Sequence, residues 1–307
     1  VEKGGVQELT RLYVRYHKES EKDPSMDDEA RRYFKLIENG DEECCALFEK
    51  FKALTLKEVQ KIYDELDIKF DSYAGESFYN DKMQPIIDAL KQKNLLVESD
   101  GAMVVNLDEY GMPPCLILKS DGATLYATRD LAAAVYRKNT YDFYKNLYVV
   151  AYQQNLHFKQ LFKVLELLGY DWAKDCVHVP FGMVSLEGVG AMSTREGKVV
   201  KLKDVLSEAV DKTKAIISQK NPELENKDET AEAIGVGAVV FGALINGRIK
   251  DVVFSVDKAL NFDGETGPYL QYTHARCCSI LSKGEAGEAD YSTLTDDETF
   301  ELVRLLS

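Results

Sequence analysis

Residues 145–169, KNLYVVAYQQNLHFKQLFKVLELLG, followed at residues 176–184 by CVHVPFGMV, decide how this chain is read. The first ten residues are a near-continuous apolar run that closes on Gln153 and Gln154, and they read as a strand. The next fifteen read as a helix, and CVHVPFGMV reads as a second strand. Apolar strands alternating with helices point to a parallel sheet covered by helices on both faces. Ligands on such sheets bind at the carboxyl ends of the strands. That places Gln153, Gln154 and His157 at a candidate site, although simple loop polarity and a packing histidine account for them equally.

Working outward, TRDLAAAVYRKN reads as a helix. LLVESDGAMVVNL and PCLILKSDGATLYAT each hold Asp-Gly between apolar runs, a strong short-range hairpin signal. IKFDSYAGESFY, from Ile68, reads as a strand entering a glycine turn and a helix start. Residues 1–66 read as helices, with Leu9, Leu12, Tyr13 and Tyr16 at helical spacing, Ser25 as an N-cap and Gly40 as a stop. After residue 202 the chain is helical again. ETAEAIGVGAVVFGALING is rich in small residues that suit close helix packing, and DVVF is a short extended piece before a Gly-Pro corner.

The 307 residues suffice for about two domains. No apolar run reaches the ~18 residues that span a bilayer, and the N-terminus does not resemble a signal peptide, so a cytoplasmic location is expected. The six cysteines include no Cys-x-x-Cys, and reduced, mostly buried thiols without zinc are expected. A net charge of −14 argues against indiscriminate nucleic-acid binding. It leaves room for an RNA met by a local patch such as Lys198, Lys201 and Lys203, which a solvated helix start explains as well.

Four constellations carry candidate chemistry. In GAMSTREGKVV, residues 190–200, the hydroxyls of Ser193 and Thr194 and the charges of Arg195 and Lys198 suit phosphate. The glycines Gly188, Gly190 and Gly197 let the backbone approach it, though a plain surface loop has the same look. In LYATRDLAAA, Tyr126 and Asp130 stand four apart, so one helix face can present a phenol and a carboxylate to a cation. A core tyrosine and a first-turn aspartate explain that spacing too. In FDSYAGESFY, Glu76 follows Gly75, where a carboxylate caps amides or meets a cation. FDGETGPYLQYTHAR concentrates glycine, aromatic and hydrogen-bonding groups, or simply turns and packs the chain.

FDSYAGES, SDGATLYATRDLAAA, YVVAYQQNLHF, the pair FGMV and MSTREGKVV, and FDGETGPYLQYTHAR resemble, in this order, the blocks of class I aminoacyl-tRNA synthetases, specifically the arginyl enzymes. The resemblance runs over essentially the whole chain. It implies an α/β fold: the second half of a Rossmann-like class I catalytic core, a parallel sheet with a helical insertion and flanking helical segments. On that footing residues 1–66 are a helical insertion, 67–264 the catalytic core's second half with a mobile loop at 188–198, and 265–307 the start of a helical anticodon-binding domain.

The resemblance implies an arginine–tRNA ligase that forms arginyl-adenylate from ATP and L-arginine, with Mg²⁺ on the phosphates, then charges the 3′ end of its tRNA. Glu76, Tyr126 and Asp130 would hold the guanidinium and Gln154 the α-amino end. His157, Met183, Val184, Met192 and Ser193 would lie at ATP. Met192, Ser193, Thr194, Arg195 and Lys198 would form the catalytic loop. Ala191 and Thr194 stand where many relatives have lysine, which leaves Arg195 and Lys198 as candidate cations. The His-x-Gly-His motif that should precede these blocks is not in the sequence. The expectation is therefore a fragment, inactive by itself, monomeric, with exposed apolar sheet faces. A non-catalytic relative that binds arginine or RNA, or another nucleotidyl-transferring enzyme of this fold, is the alternative.

Overall fold

Residues 5–65 form three helices: α1 (Gly5–Ser20), α2 (Ser25–Glu38) and α3 (Glu42–Glu65). None of the three contains a fully buried side chain. Ser25, expected as the N-cap of α2, is instead its first residue; Pro24 holds the N-cap position and Asp23 lies one residue further out. Its carboxylate accepts from the Ser25 amide at 3.1 Å and from the Ser25 hydroxyl at 2.6 Å. An acceptor two residues ahead reaches the helix start from outside, which Ser25 itself does not. Gly40 ends α2 at φ 80°, a left-handed conformation that costs glycine nothing.

Residues 68–75, expected as a strand, carry none. Phe70 instead packs edge-on against Tyr63 of α3 and against Tyr73, so the apolar residues here serve packing and not a sheet. A 3₁₀ turn over Glu76–Lys82 leads into α4 (Met83–Gln92), whose stripe Met83, Ile86, Ile87 and Leu90 is buried.

The first Asp-Gly pair makes the expected hairpin. β1 (Leu96–Ser99) pairs antiparallel with β2 (Ala102–Val105). Asp100 and Gly101 both take positive φ, 50° and 77°, as a two-residue turn matched to strand twist requires. β3 (Cys115–Leu118) adds to β2. Beyond it Thr124 makes only an isolated bridge to Leu118, so the second Asp-Gly stretch does not continue as a strand.

α5 (Tyr126–Tyr141) buries Leu131 and the small residues Ala132, Ala133 and Ala134. Its Thr128 hydroxyl donates to the Ile117 carbonyl at 2.6 Å and pins the helix to β3. The decisive strand–helix–strand unit follows as β4 (Asn146–Ala151), α6 (Asn155–Leu167) and β5 (Cys176–Phe181), with β4 and β5 parallel. The His178 ring stacks on Phe158 and donates to the Val150 carbonyl at 2.9 Å. Coverage of this sheet on both faces is not observed. Tyr148 is buried, but its neighbours Leu147 and Val149 are 57% and 64% exposed. Successive strand residues point to opposite faces, and in β4 the Tyr148 face is buried while the Leu147 and Val149 face is exposed.

β6 (Val184–Leu186) continues past Gly182 and pairs in parallel with β7 (Val252–Phe254). The remaining helices are α7 (Leu202–Lys220), α8 (Lys227–Leu244), α9 (Val256–Ala259), α10 (Gly267–Leu281) and α11 (Asp297–Leu306).

This computed structural model describes residues 1, 3–120, 122–189, 200–284, 287–288 and 290–307. They group into two units, one of residues 1–207 and 243–255, the other of 208–242 and 256–307. Each unit is assembled from two chain segments. All the described strands lie in the first unit. Its core joins Leu90, Leu107, Ile117, Leu131, Leu161 and Leu165, each fully buried. In the second unit, small residues let helices approach as expected: a β-carbon on Gly235 of α8 would stand 2.8 Å from the Val210 backbone of α7.

The thiols correct one expectation. Only Cys115 and Cys176 are buried, Cys44 and Cys45 are intermediate, and Cys277 and Cys278 are exposed on α10, where no residue after Pro268 is buried. Burial lifts the Cys115 and Cys176 thiols from 9.0 to about 11. A thiol reagent at pH 8 is therefore expected to modify Cys277 and Cys278 in the native protein, and Cys115 and Cys176 only after unfolding. The same two thiols ionise in the unfolded chain first. Stability held below pH 9 should thus be lost as pH rises toward 11. Equal labelling rates, followed by mass spectrometry of peptides, would contradict this.

Candidate active site

Tyr126 and Asp130 lie at the start of α5, and Gln154 and His157 at the start of α6. α5 packs against the turn that begins with Glu76, while α6 follows directly from β4 through the short turn Tyr152–Gln154. Backbone amides at a helix start present partial positive charge, which suits negative groups there.

Asp130 lies in the second turn of α5, and its Oδ2 is 2.7 Å from Nε2 of His157 in the first turn of α6. Two residues placed separately on the sequence, one at the arginine end and one at the ATP end, thus share one hydrogen bond. His157 also meets Phe158 edge-on. Its role as a mere packing histidine is not what the geometry gives.

Tyr126 opens α5 and is 69% exposed, so it is not a core tyrosine. Gln154 ends the turn before α6 and is exposed. Among the described residues no hydrogen bond joins Tyr126 or Gln154 to Asp130. Met183 and Val184 are exposed at the start of β6, where the Met183 amide donates to Asp251 Oδ1 at 2.7 Å. Met192, Ser193, Thr194, Arg195 and Lys198, with Gly190, Ala191 and Gly197, lie outside the described residues.

Glu76 does not cap its turn. It meets a cation, and the cation belongs to the chain: Arg129 Nη1 donates to Glu76 Oε2 at 3.2 Å. Arg129 Nη2 donates to Glu38 Oε1 at the end of α2, at 3.4 Å. The Arg129 side chain is 9% exposed, against 69% for Glu76 and 22% for Glu38. Three carboxylates, Glu38, Glu76 and Asp130, are thus paired with one guanidinium and one imidazole. These are two separate pairings, Glu38–Arg129–Glu76 and Asp130–His157. Among the described residues no three His, Cys, Asp or Glu side chains converge as a metal group, and no helix is long and apolar enough to cross a membrane.

Three residues here were missed on the sequence: Arg129, Glu38 and Asp251. For Arg129 a signal existed, since it sits inside the quoted LYATRDLAAA run among residues that α5 buries. Glu38 and Asp251 offered none, being ordinary acidic residues near helix and loop ends.

The class so defined is a parallel α/β domain with an aspartate–histidine pair beside the carboxyl end of a strand. The profile of tRNA synthetases class I (R), catalytic domain, matches residues 1–256. The chain belongs to that family. It is 58% identical to an arginine–tRNA ligase of Clostridium botulinum and 59% identical to that of Clostridioides difficile, in both cases over 100% of this chain. It spans 55% and 54% of those proteins, about half their length. Among solved structures it resembles Thermus thermophilus arginyl-tRNA synthetase, with TM-score 0.78 and 26% identity over 96% of this chain and 55% of that one. The Plasmodium falciparum enzyme aligns with TM-score 0.77 and 28% identity over 91% of this chain and 48% of that one.

Proposed function

We propose that this chain is the arginine-binding part of an arginine–tRNA ligase, which forms arginyl-adenylate from ATP and L-arginine and then charges the 3′ end of its tRNA. The observation that carries the reading is Asp130, one helical turn after the exposed Tyr126 on α5 and bonded to His157 at the start of α6, in a member of this family. A guanidinium is planar, always charged and rich in donors, so carboxylates and a phenol complement it. The neutral isostere citrulline leaves the carboxylates uncompensated, which is the source of discrimination.

In this reading Gln154 receives the α-amino end. His157, with Met183 and Val184, lies at the nucleotide. The Asp130–His157 hydrogen bond then ties the amino-acid end of the site to the ATP end, so both substrates are held by one rigid connection between α5 and α6. Met192, Ser193, Thr194, Arg195 and Lys198 close on the phosphates, where cationic and hydroxyl donors meet the charge that develops as pyrophosphate leaves. Mg²⁺ enters with the triphosphate, as part of that substrate. Catalysis is mainly positioning and electrostatic stabilisation. Residues 67–264 supply part of the catalytic core, 1–66 a helical insertion and 265–307 part of an anticodon-binding region. The protein acts in the cytoplasm, as a monomer.

Arginine-dependent exchange of pyrophosphate into ATP by the complete gene product tests the reading. Exchange with L-arginine but not with citrulline or lysine is the expected result. Exchange driven by another amino acid, or none with arginine, would overturn it.

A further inference from the structure

Arg129 and Glu38 both sit where helix electrostatics disfavours them. Arg129 is in the first turn of α5, at the positive end of that helix, and Glu38 is the last residue of α2, at the negative end. Each is explained by its partner in the fold and by nothing local. The Arg129 guanidinium is 9% exposed and its Nε is buried without a hydrogen-bond partner. A buried cation with an unused donor is costly to keep. It is kept where it spans two carboxylates from two separate elements.

The spanning geometry matters for Glu76. Arg129 gives one N–H to Glu76 and one to Glu38, and does not fork onto either carboxylate. Oε1 of Glu76 is therefore left without a protein donor among the described residues. Resting on the arginine reading above, we propose that Arg129 is a positioning residue. It ties Glu76 to Glu38, so that the helical segment 1–66 sets how Glu76 meets the substrate guanidinium. The segment is then part of amino-acid recognition as well as a helical insertion. The link between Glu38 and the substrate runs only through Arg129 and Glu76.

The test is steady-state pyrophosphate exchange by the complete gene product, comparing wild type with Glu38→Gln, Arg129→Lys and the double variant. Glu38→Gln keeps shape and removes one charge. Arg129→Lys keeps charge, but a compact ammonium does not bridge two carboxylates as a planar guanidinium does. Each single change is expected to raise KM for arginine about tenfold, with kcat and KM for ATP held. The double variant should be no worse than Arg129→Lys, since both act through one link. An unmoved KM for arginine in Glu38→Gln overturns the proposal. So does a parallel loss in kcat and both KM values with a lowered melting temperature, the signature of a purely structural role. Failure of wild type to respond to arginine removes the parent reading itself and this inference with it. A normal wild type beside an unaffected Glu38→Gln removes the inference alone.

Discussion

Replacing Asp130 with asparagine is expected to weaken L-arginine binding about 100-fold, on the order of 3 kcal/mol, the usual cost of losing one partner of a desolvated charge pair. The change is nearly isosteric. An asparagine still reaches His157 across the present 2.7 Å contact, so the join between α5 and α6 should persist and the melting temperature should hold. What disappears is the negative charge of the carboxylate that is paired in the free protein with His157 alone. Discrimination against citrulline should shrink in the same variant, because the neutral isostere no longer leaves Asp130 uncompensated. Calorimetric titration with both ligands, and exchange kinetics, measure it. A loss below about threefold in the arginine affinity would mean that Asp130 orients His157 and does not meet the substrate.

The second large effect is expected at Gly182. The backbone between β5 and β6 lies flat against residues 248–250. The Gly182 amide donates to the Arg248 carbonyl at 2.8 Å, and the Arg248 side chain donates to the Pro180 carbonyl. A β-carbon at Gly182 would stand 2.3 Å from the Lys250 carbonyl oxygen, and its neighbours there are backbone atoms that do not swing aside. Gly182→Ala must push the two segments apart, which costs about 1–3 kcal/mol as overpacking and lowers the first melting transition by on the order of 5 °C. It should also displace Met183, whose amide is fixed by Asp251, and so raise KM for ATP in exchange. A variant with wild-type melting and wild-type KM for ATP would show that this backbone relaxes freely.

Much of the site was readable from the sequence because its parts are local. The polar close of β4, the helix start after it and the one-turn spacing of Tyr126 and Asp130 all follow from short-range periodicity and end signals. Residues 68–75 show the limit. Their apolar content looks like a strand, but strand formation needs a partner, and here the aromatic rings pack against α3 instead. Coverage of the β4–β5 sheet fails to follow for a similar reason. An apolar run states that both faces suit burial, and only packing decides which is buried, as Tyr148 and its exposed neighbours Leu147 and Val149 illustrate.

The sequence by itself determined the parallel strand–helix–strand unit and the Asp100-Gly101 hairpin. Backbone dihedral preferences and side-chain periods act over a few residues, so their traces survive in any linear reading. Only the tertiary structure decided what Glu76 touches. Its partner Arg129 lies 53 residues away, and Arg129's other partner Glu38 lies 91 residues away. A charge can be read from the sequence, but the choice of its counter-charge depends on which helices pack together, and that is settled by burial summed over the whole fold.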